Sequence, residues 1–242
     1  MACYYQIKII HNILSEEAGS LLEQIKGKLL VSCQALPNEP LHSSFIMGRM
    51  AKAAQEGGAV GIRAQGVEDI REIKKITGLP VIGLIKRNYA DSAIYITPTM
   101  REVDELLASG CEMIALDMTN RTRPNGETMQ FLVERIKKEN IEVLADISTY
   151  EEALQAEKYG VDAVSTTMVG YTDYSHLSVG PDFALIKKLV VDLTIPVLAE
   201  GKINTPEDLA NVFASGAYAA IVGSAITRPQ LITKKFAAVI QN

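Results

Sequence analysis

The chain has 242 residues, 48% of them apolar, and a formal net charge of -5. This suits one α/β barrel or one or two smaller domains with a large core, and excludes general disorder. With a pI of about 5.4 and no extended basic patch, nucleic acid is excluded as a partner, and no run approaches the roughly 20 apolar residues of a membrane span.

At the start of the chain, Met1 to Leu14 is the one stretch that invites comparison with a targeting signal. It lacks a charged leading segment, Gln6, Lys8, His11 and Asn12 break its apolar run, and no small-residue cleavage site follows. Residues 1–21 are therefore read as an N-terminal extension and residues 22–242 as one barrel domain. Cys3, Cys33 and Cys111 show no CxxC spacing and read as reduced thiols of a cytoplasmic protein.

From there, short apolar runs recur, each followed by an amphipathic stretch. The predicted strands are Lys28–Gln34, Ala59–Ala64, Val81–Lys86, Met113–Met118, Glu142–Ile147, Ala163–Thr167, Val197–Glu200 and Ala219–Val222. Their Val, Ile, Leu and Ala content is that of parallel strands covered on both faces. The clearest helices are Met100–Ser109, Tyr150–Tyr159 and Pro206–Ser215, which end in similar phrases at Gly110, Gly160 and Gly216. A left-handed glycine closing each helix before the next strand accounts for that pattern. Thr149 and Thr205 precede acidic first turns and read as N-caps, with Pro206 at the first helical position. Eight βα units in one composition zone predict a single (β/α)8 TIM barrel. A doubly wound open sheet is the alternative, but G-x-G-x-x-G is absent after the first strand.

A barrel carries its working residues where strands finish. Those positions read Gln34, Arg63, Lys86, Asp117, Asp146 and Glu200. Any one of them alone would read as a structural ion pair, but six polar strand ends are costly to bury without a use. Lys86 and Glu200 each close a run opened by Pro-Val, and together could move protons on and off carbon. As a base, Lys86 needs its pKa brought down by burial or by neighbouring cations, for which Arg63 and Lys202 are candidates. A Schiff-base role is the other use of such a lysine. Extended-strand alternation sets Glu200 and Lys202 on one side, so a plain Glu–Lys pair competes for Glu200. Asp117 and Asp146 could fix sugar hydroxyls, orient Lys86 or cap Arg63.

The loops after strands seven and eight read Glu200-Gly-Lys-Ile-Asn204 and Val222-Gly-Ser-Ala-Ile-Thr-Arg228. Barrels of this kind commonly hold a phosphate there with backbone N–H groups. Gly201 and Gly223 allow close backbone approach, and Lys202, Ser224 and Arg228 add charge and a hydroxyl. Arg121 and Arg123 offer two further cations, for phosphate or for the rim. The polar, aromatic stretch Val169–Asp182 is either a cover for a sugar or an ordinary surface loop. His11, His42 and His176 do not end a strand beside a carboxylate, so no metal site and no cofactor is expected.

Beyond this, Val31-Ser-Cys-Gln-Ala-Leu-Pro37, Gly61-Ile-Arg-Ala64, Gly83-Leu-Ile-Lys-Arg87, Gly170-Tyr-Thr172, Ala199-Glu-Gly-Lys202 and Gly223-Ser-Ala-Ile-Thr-Arg-Pro229 occur in order. In these segments the chain resembles the N-acetylmannosamine-6-phosphate 2-epimerase family. The resemblance implies interconversion of N-acetylmannosamine 6-phosphate and N-acetylglucosamine 6-phosphate in bacterial sialic acid breakdown. It implies Lys86 as the acid/base at C2 and Glu200 as its companion, with Gln34, Arg63, Asp146 and Arg228 lining the sugar phosphate site, and a homodimer. The rival readings are a pentose phosphate epimerase, a lysine aldolase and a non-catalytic sugar phosphate sensor.

Overall fold

A computed structural model describes residues 19–240. The extension before Gly19, including the targeting comparison at Met1–Leu14, lies outside the described residues. Eight parallel strands close into a barrel in sequence order: β1 Leu29–Cys33, β2 Gly61–Gln65, β3 Val81–Leu84, β4 Met113–Asp117, β5 Glu142–Asp146, β6 Ala163–Ser165, β7 Val197–Glu200 and β8 Ala219–Val222. β8 returns to β1 through Leu30↔Ile221. The predicted (β/α)8 barrel is thus observed.

The helices run α1 Leu21–Ile25, α2 Ser44–Glu56, α3 Val67–Thr77, α4 Met100–Leu107, α5 Met129–Lys137, α6 Tyr150–Lys158, α7 Phe183–Asp192, α8 Pro206–Ala214, a single turn α9 Ser224–Thr227, and α10 Pro229–Ala238. Thr149 and Thr205 are N-caps as read, each in a capping box with Glu152 or Asp208. The three predicted closing glycines all sit at positive φ, between 80° and 94°.

Period-2 alternation explains how the site is built. Leu30, Ile82, Leu84, Met113, Leu144, Leu198 and Ile221 point inward and fill the barrel's lower interior. Their neighbours Val31, Ile62, Val81, Ile114, Val143 and Val197 point outward to the helices. Below, α1 closes the barrel floor: Ser20 caps it in a capping box, and Leu21 and Ile25 are 2% and 0% exposed against the interior cluster. The boundary drawn at 21/22 therefore falls inside α1. One step up from the apolar layer, the same alternation turns Ser32, Arg63, Asp117, Asp146, Ser165 and Glu200 inward.

Several strands are shorter than predicted at their carboxyl ends. β3 stops at Leu84, and Lys86 holds only a single antiparallel bridge to Ile96. β6 stops at Ser165 and winds into a 3-10 turn, Thr166–Met168. The last residues of these runs leave the ladder at the mouth, where loop partners replace strand partners.

Candidate active site

The mouth encloses a cavity of about 780 Å³. Lys86, Glu200, Gln34, Arg63, Gly201, Lys202, Gly223, Ser224 and Arg228 all line it. Asp146 does not reach the cavity surface; it is fully buried and acts on the site through Arg63.

Arg63, 1% exposed, anchors the floor. Its two terminal nitrogens donate to Asp146 at 2.9 and 2.5 Å, a fork-to-fork pair, and Nη1 also contacts Glu200 Oε2. The Thr167 hydroxyl lies 2.7 Å from Asp146 and 3.0 Å from Glu200. With one proton to give, it serves one carboxylate at a time. One guanidinium between two buried carboxylates leaves the cluster one negative charge in excess. Burial alone would lower the Arg63 pKa, but Asp146 and Glu200 carry it above the ordinary value. Burial, with Asp146 adding to it, pushes the Glu200 carboxyl up despite Arg63.

The Glu200–Lys202 pairing expected from alternation does not form. Gly201 and Lys202 have φ of 100° and 58°, so extended geometry ends at Glu200 and the next two residues turn away. Glu200 takes Arg63 as its cation instead.

Above this cluster stands Lys86. Its amine makes no hydrogen bond or ion pair with any described residue, although it lines the cavity beside two carboxylates and two arginines. Burial lowers its pKa from 10.5 to about 8, with Arg63 and then Arg228 acting in the same direction and Glu200 and Asp146 opposing. Arg228, rather than Lys202, is the second cation acting on it. A lowered amine and a raised carboxyl in one cavity is the pattern expected of an acid/base site.

The opposite wall is made by the β7 and β8 loops. Gly201, Lys202 and Asn204 of one loop and Gly223, Ser224 and Arg228 of the neighbouring loop line the cavity together. Gly223 is the N-cap of α9, so the first N–H groups of that turn lack intrahelical partners. Gln34 donates to Ser32 Oγ at 2.8 Å, and its Oε1 is buried with no partner among the described residues.

Other candidates are engaged elsewhere. Asp117 is held by Arg121 at 2.6 Å and by Thr119, and does not line the cavity. Arg123 is 4% exposed and donates to the carbonyls of Thr97, Pro98 and Asp117. These two cations therefore hold the β4 loop and do not reach the β7/β8 wall. In the long loop Val169–Asp182, Tyr171 lines the cavity, and Tyr174 donates to the buried Glu152 at 2.6 Å. The loop is thus pinned over one side of the mouth. His42 contacts the Ala35 carbonyl at 3.0 Å, and among the described residues no three His, Cys, Asp or Glu side chains converge as metal ligands would.

Sequence reasoning missed Thr167 and Glu39. Thr167 stood at the end of a predicted strand, on the inward side, and only its lack of charge hid it. Glu39 has no strand position at all, since it is brought to Arg228 by the β1 loop.

The family model described as "Putative N-acetylmannosamine-6-phosphate epimerase" (NanE) matches residues 47–242. A protein of Clostridioides difficile (strain 630), named "Putative N-acetylmannosamine-6-phosphate 2-epimerase", is 67% identical over 221 residues, or 91% of this chain and 99% of that protein. The solved N-acetylmannosamine-6-phosphate 2-epimerase of Clostridium perfringens superposes with a TM-score of 0.90 at 60% identity, covering 92% of this chain and 97% of that one. Thiamine phosphate pyrophosphorylase from Pyrococcus furiosus, at 20% identity and a TM-score of 0.60, shares the barrel fold alone. The chain belongs to the N-acetylmannosamine-6-phosphate epimerase family.

Proposed function

We propose that this chain interconverts N-acetylmannosamine 6-phosphate and N-acetylglucosamine 6-phosphate by taking and returning the C2 proton, as an isomerase of sialic acid catabolism. The observation that carries the reading is Lys86: an unpartnered amine in the cavity, held at about 8, with a carboxyl of raised pKa facing the same space. Near neutral pH a useful fraction of such an amine is neutral, which a solvent lysine is not.

Ring opening comes first, because only the open chain places the C2 hydrogen next to an aldehyde. Glu200 takes the C1 hydroxyl proton and passes it to the ring oxygen as the C1–O5 bond breaks, leaving an aldehyde at C1 and a hydroxyl at C5. Lys86 then removes the C2 proton and becomes an ammonium; the C–H electron pair forms the C1–C2 double bond, and the carbonyl π pair moves onto oxygen as the enolate. Arg63 steadies that oxyanion. Once the open chain turns its other face to Lys86, the ammonium, whose hydrogens exchange with solvent, returns a proton to C2, which inverts the centre and regenerates the neutral amine. The phosphate, held by Gly201, Lys202, Gly223, Ser224 and Arg228, is remote from C2 and fixes the open chain with binding energy that the reacting carbon does not need. Gln34, with its unpartnered Oε1, receives a donor from the sugar.

The decisive experiment is NMR of the purified protein with N-acetylmannosamine 6-phosphate in deuterated water without added metal. Product formation with deuterium at C2 is expected; formation of product without deuterium would refute proton exchange, and absence of product would refute the reading. Borohydride with substrate leaves Lys86 unmodified, which separates this chemistry from a Schiff-base aldolase. The protein works in the cytoplasm as a homodimer in this proposal. Support for the dimer comes from α10, where Phe236, Val239 and Ile240 at its end are 75%, 76% and 85% exposed. No described helix is long and apolar enough to cross a membrane.

A further inference from the structure

Glu39, on the loop between β1 and α2, has its side chain 17% exposed and three donors around it. Oε2 accepts from the Leu36 N–H at 2.7 Å and from Arg228 Nη2 at 3.1 Å, while Oε1 accepts from Gln230 Nε2 at 3.1 Å. Leu36 ties the carboxylate to its own loop, which lines the cavity through Leu36 and Pro37. Gln230, in the first turn of α10, fixes it from the opposite side. The carboxylate is thus immobilised by two groups before it engages the arginine.

A guanidinium presents five N–H donors in a rigid fork. Glu39 engages only Nη2 of Arg228 and leaves the other nitrogens without a described partner. Arg228 lines the cavity on the wall read above as the phosphate subsite. An arginine on a free stem must lose its rotamer freedom when it meets an anion, and a carboxylate post removes that loss in advance. We propose that Glu39 is a positioning residue that holds Arg228 with part of its fork turned to the phosphate; this rests on reading the β7 and β8 loops as the phosphate subsite. The carboxylate's own charge opposes the anion, so the proposal has a definite sign: orientation outweighs repulsion, and losing Glu39 weakens binding.

The test compares Glu39→Ala, Glu39→Gln, Arg228→Ala and the double variant. KM and kcat are measured for N-acetylmannosamine 6-phosphate, with Ki for inorganic phosphate as competitor and thermal melting to confirm folding. Glu39→Ala is expected to raise KM and the phosphate Ki about tenfold while kcat falls less than about threefold. Glu39→Gln keeps an acceptor for Leu36 and recovers part of the loss; it also stands in if the alanine variant does not fold. In the Arg228→Ala background, Glu39→Ala should change KM by less than about twofold, because nothing is left to position. A full additional loss there would make Glu39 a loop-holding residue and overturn the proposal, as would an unchanged or lowered KM in the single variants. If Arg228→Ala itself leaves the phosphate Ki unchanged, the subsite reading fails and Glu39 falls with it.

Discussion

In the mechanism proposed for Lys86, the charges around its amine set the pH dependence of turnover. Burial and the cations Arg63 and Arg228 bring its amine from 10.5 to about 8. At pH 7 an amine of pKa 8 is roughly one-tenth neutral, against about 0.03% at 10.5, so the site raises the neutral fraction of this amine about 300-fold. The base must be neutral to accept a proton, so activity rises with pH through 8 and then levels. Below 8 the slope of log kcat/KM against pH is expected to approach one, a tenfold gain per pH step. Measurements should run from about pH 6.5 to 9.5, because the substrate phosphate takes up its second proton near 6. Initial rates of C2 deuterium exchange, followed by NMR, report the step itself. A profile flat from 6.5 to 9.5, a limb centred near 10, or activity that falls through 8 would refute a desolvated neutral lysine as the base.

Replacing Lys86 by Ala should abolish deuterium uptake while phosphate binding persists; retained exchange removes Lys86 from the mechanism. Lys86→Met should raise stability by up to about 3 kcal/mol below pH 8, because the folded state no longer holds a disfavoured ammonium. That gain closes between 8 and 10.5, where the wild-type folded lysine gives up its proton before the unfolded one, and denaturant titrations at pH 7 and 10 check it. Glu142, at the start of β5 near Ser20 and Leu22, has a buried Oε2 with no partner among the described residues, and burial raises it to about 7. The folded state therefore keeps its proton longer than the unfolded chain, stability falls from pH 4.5 to 7, and Glu142→Gln should recover about 1–2 kcal/mol above pH 7 and nothing below 4.5; equal stability of the two proteins at pH 8 would contradict this. In Gly83→Ala the new methyl would lie 2.8 Å from Cys111 Sγ and 3.0 Å from Ile70 Cδ1, so melting should drop by several degrees, at a cost of about 1–3 kcal/mol.

The barrel was legible in the chain because its signals are local. Eight apolar runs, threonine caps and glycine stops each act within a few residues, and period 2 alone decides that Arg63, Asp146 and Glu200 share the interior with Leu30 and Leu84. Most segments carrying the family resemblance sit at or just beyond strand ends. What the chain could not decide by itself was pairing among charges. Glu200 and Lys202 are neighbours in sequence, yet a left-handed turn at 201 and 202 separates them, and Arg63, 137 positions away, takes the carboxylate. Arg121 and Arg123 could not be distinguished from phosphate ligands until the β4 loop folded back on Asp117 and on the carbonyls at 97 and 98. Residue types and strand periodicity are short-range properties, whereas the partner of a buried charge is whichever opposite charge barrel closure brings within reach, and closure is a property of all eight strands at once.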